Sequence, residues 1–145
     1  MKTITTILRD VHNELKLGFR SDFITGTVQE NNINEESIEM LVALVKPITA
    51  NPSYENGGRK FTYLSINMLF VMLDELEATD EQHEDIIAKC LAVYNQFIFR
   101  LKKVEYITVT EGKIVQVYND QDANLTGLSA TFQIVQNVTD SLCLL

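Results

Sequence analysis

The chain has 145 residues, 46% of them hydrophobic and 22% charged, with a formal net charge of −8. That length and apolar content suit one domain, 1–145, with a real core. The acids are dispersed rather than gathered into a tail, and no basic face is visible, which argues against specific DNA or RNA readout.

In Thr3–Leu17 the apolar residues Ile4, Ile7, Leu8, Val11 and Leu15 follow the spacing of one helical face, and Gly18 ends the pattern. The polar stretch "FRSDFITGTVQENNINEES" reads as a loop or short hairpin, an insert over about 18–37. "IEMLVALVKPI" (Ile38–Ile48) fits a helix by its spacing, but its length, its valines and its proline favour a buried strand. "NPSYENGGRK" reads as a turn or exposed loop; it lacks the spacing and the hydroxyl of a phosphate loop.

"FTYLSINMLFVML" (Phe61–Leu73) alternates as a long strand. Leu64, Ile66, Met68, Phe70 and Met72 share one face, and Tyr63, Ser65 and Asn67 share a wetter one. The next segment has the capping-box spacing of Thr79 and Gln82, acids in its first turn and Arg100, Lys102 and Lys103 at its end, so it suits the helix dipole at both termini. Its apolar stripe runs through Ile86, Cys90, Val93, Tyr94, Phe97 and Leu101. "VEYITVT" and "KIVQVY" read as two strands joined at Glu111-Gly112. "TGLSATFQIVQN" reads as a last strand with Leu128, Ala130, Phe132 and Ile134 inward and Ser129, Thr131 and Gln133 outward. These elements define an α+β fold, two helices packed on a mostly antiparallel sheet.

Chemical motifs are few. "DQDANLTGLSAT" places Asp120, Asp122 and Asn124 as a calcium loop would, but Leu125 stands where that loop needs glycine and Thr131 where it needs a bidentate glutamate. A polar bend in which Asp122 and Asn124 bond locally and Gly127 permits a tight approach is the better reading. His12 and His83 lack a histidine partner at helical spacing and read as solvated. Glu81, Glu84 and Asp85 are explained by the helix's first turn. Cys90 and Cys143 lie in apolar surroundings without CxxC spacing, as buried free thiols do. No signal peptide or bilayer-spanning run is read, so a soluble protein made in a cytoplasm is expected, and the sequons at Asn124 and Asn137 carry no weight. No nucleophile and base, metal cluster or cofactor loop assembles, so the expectation is no enzyme, no cofactor and no metal.

Phe61–Gln136 resembles small virion proteins of tailed bacteriophages, particularly those of phages and prophages in Bacteroides-like hosts. A strand ending near Leu-Asp precedes a helix, and a tract carrying Val117, Tyr118, Asp122, Ala123, Asn124, Leu125, Gly127 and Phe132 leads into the last strand. The element order looks like the tail-terminator and head–tail joining fold. The resemblance implies a structural protein of the phage neck or the head-proximal tail end, forming a ring of six or twelve copies. Such a ring joins head to tail or stops tube growth, and leaves a channel through which DNA passes without specific contact. It implies portal, adaptor or tail proteins as partners, a virion location after assembly in the host cytoplasm, and no membrane. Tyr63, Ser65, Ser129, Thr131 and Gln133 are the candidate subunit contacts. A phage-encoded cytoplasmic regulator or inhibitor acting by protein contact is the alternative.

Overall fold

A computed structural model describes residues 2–26, 41–55, 58–73, 80–120 and 125–138. Among them are two helices and six strands, in the order α1 (Ile4–Asn13), β1 (Ser21–Thr25), β2 (Leu41–Val45), β3 (Asn51–Glu55), β4 (Gly58–Leu73), α2 (Asp80–Leu101), β5 (Ile107–Asp120) and β6 (Leu125–Val138). The class is α+β with a mixed, mostly antiparallel sheet ordered β1-β2-β4-β6-β5, and β3 beside the start of β4. Only β1 and β2 are a parallel pair among the described strands.

The centre is the β4–β6 ladder, which runs in register from Arg59↔Val138 to Leu73↔Leu125 with one irregularity. β4 and β5 both run antiparallel to β6, so α2 carries the chain across β6 from one to the other. It lays Ile87, Cys90, Val93, Tyr94, Phe97, Ile98 and Leu101 on the sheet. There Phe70 meets Tyr94 edge-on with centroids 5.7 Å apart and Phe97 at 5.8 Å, and Phe97 reaches Phe132 at 6.4 Å. α1 completes this layer with Ile4, Ile7, Leu8 and Val11. Thr3 caps it by accepting from the Thr6 backbone N–H at 3.2 Å.

Several elements differ from the sequence reading. α1 stops at Asn13 rather than near Leu17. Leu15 and Leu17 still pack on the core, but their two-residue spacing is not helical. β1 occupies part of the polar stretch read as loop, held by Arg9, whose guanidinium lies 5.5 Å from the Phe23 ring centroid. β3 occupies the "NPSYE" read as a turn. It pairs only with β4 among the described strands, and Pro52 is tolerated on such an edge. β2 is a strand, and all five of its residues are buried, which is why no alternation marked it.

The expected hairpin at Glu111-Gly112 does not exist. β5 runs through it, and its register to β6 shifts between Glu111 and Ile114, where Gly112 and Lys113 together oppose the single residue Thr131. A Cβ on Gly112 would stand 2.7 Å from the Thr131 carbonyl oxygen, so the glycine marks a close approach rather than a turn. A second bulge corrects the β4 pattern. Between Tyr63↔Ile134 and Ile66↔Phe132, the two residues Leu64 and Ser65 oppose one on β6, and the facing switches parity. Leu64, read as core, is 60% exposed, and Tyr63, read on the wet face, is buried among the core residues.

Gly127 lies inside β6, not in a bend before it, opposite Val71 on β4 and Val117 on β5. Asp122, Asn124, Thr79 and Cys143 lie outside the described residues. A Cβ on Gly127 would overlap the Phe70 carbonyl oxygen and stand 2.9 Å from Val71 Cα, both of them backbone atoms that cannot step aside singly. Gly127→Ala is expected to lower stability in urea unfolding by about 1–3 kcal/mol or more. Gly18→Ala, where nothing lies within 4 Å, is expected to change it by less than about 0.5 kcal/mol.

Candidate interaction surface

Because paired residues share a face, the register assigns each side chain to the helix-covered side or the opposite side. On β6, Leu128, Ala130, Phe132 and Ile134 are buried under the helices, and Ser129, Thr131 and Gln133 stand half-buried on the other side. β4 contributes Asn67 opposite Thr131, and Ser129 Oγ donates to Asn67 Oδ1 at 3.3 Å. β5 contributes Thr110 opposite Gln133 and Val115 opposite Ser129. Ser65 is exposed in the β4 bulge, whose two residues face Gln133. Four of the five expected contact residues therefore gather on one polar strip across β4 and β6.

Tyr63 does not join them. It is 7% exposed, and its hydroxyl donates to Gln136 Oε1 at 3.1 Å, while Gln136 Nε2 donates to the Lys2 carbonyl at 3.1 Å. Burial raises the phenol's pKa. This chain of bonds satisfies two buried polar side chains and fastens the start of α1 to the sheet. At the other end of the open face the polar strip gives way to a second apolar cluster, Val42, Leu44, Leu69, Val71 and Leu125.

The outer position of β5 is what sequence patterning missed. Fourteen residues long, β5 pairs with β6 alone among the described strands. Ile114 and Val115 are 42% and 54% exposed at its middle. Nothing in "KIVQVY" marks a strand as outermost, since edge position is set by long-range pairing. Near the strand's start, Glu111 accepts from Lys102 Nζ and from the Tyr94 hydroxyl, each at 3.0 Å. These bonds, Lys102's first, hold the Glu111 carboxyl below its ordinary pKa, while burial and the bond to Glu111 push the Tyr94 phenol up. Tyr106 makes the turn from α2 into β5 at φ 72°, a conformation rare for an aromatic residue, and its carbonyl accepts from Asn137 N–H at 2.7 Å. Beside it lies a cavity of about 390 Å³ lined by Lys2, Ile7, Val104, Glu105 and Gln136.

His12 is not solvated. It is 4% exposed under β1, with Nε2 2.8 Å from Ser21 Oγ, Nδ1 3.3 Å from Asn13 Oδ1, and its ring 5.8 Å from Phe23. The strand that covers it was unforeseen, so its burial was too. Cys90 is fully buried, and desolvation raises its thiol to about 12, so it stays protonated at neutral pH. Among the described residues no three His, Cys, Asp or Glu side chains gather to hold a metal ion. No helix among them is long and apolar enough to cross a membrane.

The chain matches no protein-family model and no curated protein sequence.

Burial lowers the pKa of His12 against smaller raising effects from the Asn13 hydrogen bond and the Asp22 charge. An unfolded histidine titrates near about 6.5, so as pH falls below that value the unfolded chain takes up a proton that the folded chain resists. Stability is therefore expected to fall from about pH 6.5 downward and to level off below the folded-state pKa. Urea midpoints at about pH 7.5 and about pH 5.5 should differ less in His12→Gln than in the unsubstituted protein.

Proposed function

We propose that this protein is a structural component of a tailed-phage virion, assembling as a ring in the neck or at the head-proximal end of the tail. The observation that carries the reading is the division of its sheet. Two helices cover one face, while the other presents the strip of Asn67, Ser129, Thr131 and Gln133 beside β5, the outermost of the described strands on that side. Such a molecule offers its neighbours broad surface. The tract from Val117 to Phe132, whose residues resemble those of head–tail joining proteins, forms the end of β5 and the first part of β6 and supplies Ser129 and Thr131 of that strip.

In this role the polar strip contacts neighbouring proteins, either other copies or adjoining neck and tail components. Half-buried hydroxyls and amides suit such a contact because they exchange water for protein partners at little cost and fix the register through direction. Contacts between two different patches close into a ring when the rotation per copy permits. A net charge of −8 suits a channel wall, since an acidic lining repels the phosphate backbone and lets DNA slide. The protein acts by position and shape, without a cofactor and without turnover.

Mass spectrometry of purified particles from the phage or induced prophage that encodes the chain should find it at a fixed small copy number per portal. Its absence from intact virions, with abundance in the lysate's soluble fraction, would sink the reading.

A further inference from the structure

We infer that the outward face of α2 is where a second copy of this chain docks, the two helices lying antiparallel across a two-fold axis near Ala92. The inference stands apart from the ring reading, because a two-fold contact closes a pair and by itself builds no ring.

One face of α2 is buried on the sheet. On the other, besides Lys89, the exposed positions between Asp85 and Arg100 are Ala88, Leu91, Ala92, Asn95, Gln96 and Phe99. The outward face of a solvated helix is ordinarily charged, and this one carries a single charge over about four turns. Leu91 and Phe99 are 39% and 63% exposed, and Lys103 Nζ lies 4.1 Å from the Phe99 ring centroid. Ala88, Ala92, Asn95 and Phe99 follow one another at steps of four, three and four, so they share one line along the helix. The two alanines on that line let another helix approach closely.

Charge selects the occupant. Glu81, Glu84 and Asp85 are exposed in the first turns of α2, and Arg100, Lys102 and Lys103 are exposed at and just beyond its last turn. A parallel neighbour of the same sequence sets acid against acid and base against base. An antiparallel one sets acid against base at both ends. Glu81 and Lys103 stand eleven positions either side of Ala92, about three turns, and so lie on the same line as Ala92. With Ala92 on the axis, Glu81 of each chain meets Lys103 of the other, and Glu84 of each lies level with Arg100 of the other. Lys102 turns aside to Glu111 and takes no part. A contact carried by one helix of 22 residues, about 33 Å long, is small among stable interfaces, so the pair is a weak one with a dissociation constant on the order of micromolar.

The test compares the unsubstituted protein with Ala92→Glu, which sets two carboxylates together on the axis, and with the charge variants Glu81→Lys, Lys103→Glu and Glu81→Lys/Lys103→Glu. Sedimentation equilibrium and native mass spectrometry would be run across protein concentration, with circular dichroism as a check of folding. The unsubstituted chain is expected to pair as its concentration rises, and Ala92→Glu to stay folded and run at half that mass. Each single charge variant is expected to raise the dissociation constant about tenfold, and the combined exchange to bring it back. In a Cys143→Ser background, where Cys90 is fully buried, oxidation is expected to join two chains through Ala92→Cys and not through Lys113→Cys on β5. A monomer at every concentration overturns the inference. So does association that Ala92→Glu leaves unchanged, or a charge exchange that fails to restore pairing. The ring reading is untouched by any of these results, since the virion measurement decides it separately.

Discussion

The fold depends on the long antiparallel ladder between β4 and β6, and the ladder depends on how closely two backbones approach at Gly127. There β6 lies against the Phe70 and Val71 main chain with no room for a Cβ. The same register puts Phe70 opposite Leu128 and Ile66 opposite Phe132, which sets the floor on which Tyr94 and Phe97 pack. β2 and β3 share one side of β4, and β5 takes the far side of β6. Since α2 must cross β6 to reach β5, its apolar stripe lies over the ladder's centre. One close contact thereby fixes the strand register, the position of the helix and the aromatic cluster between them.

What could be read from the sequence followed from local periodicity. The stripe of α2 and the alternation of β6 are each set by one element's own exposure pattern, and both appear as expected. The errors share a different cause. Alternation assumes a regular pleat, so the two-residue bulge at Leu64 and Ser65 exchanged the roles of Tyr63 and Leu64 without any mark in composition. Glu111-Gly112 carries turn chemistry, yet Gly112 is needed where β5 passes the Thr131 carbonyl, a contact nineteen positions away. β1 and β3 are polar because each has few neighbours, and polar short strands look like loops. His12 followed β1: a histidine's burial is decided by what packs over it.

The candidate surface was half legible for the same reason. Ser129, Thr131 and Gln133 sit on a regular strand, and their orientation follows from parity. Asn67, which binds Ser129 across the ladder, becomes their partner only once the register is known. Tyr63, by contrast, is committed to Gln136 inside the domain, where it fastens α1 rather than facing a neighbour.

The β5 edge combines two opposed tendencies. Its first half is tied down: Glu111 takes hydrogen bonds from Tyr94 and Lys102, and the bulge at Gly112 and Lys113 disrupts the even spacing that another strand needs. Its second half carries a further register shift between Val117 and Asp120, and between the two bulges Ile114 and Val115 are exposed on opposite faces. The basic end of α2 arises from ordinary helix electrostatics, cations at the C-terminus. The crossover to β5 then delivers that end to the first half of β5, where Lys102 meets Glu111. A local preference of the helix thus becomes a property of the sheet's border, and the border differs in sign from the rest of the molecule.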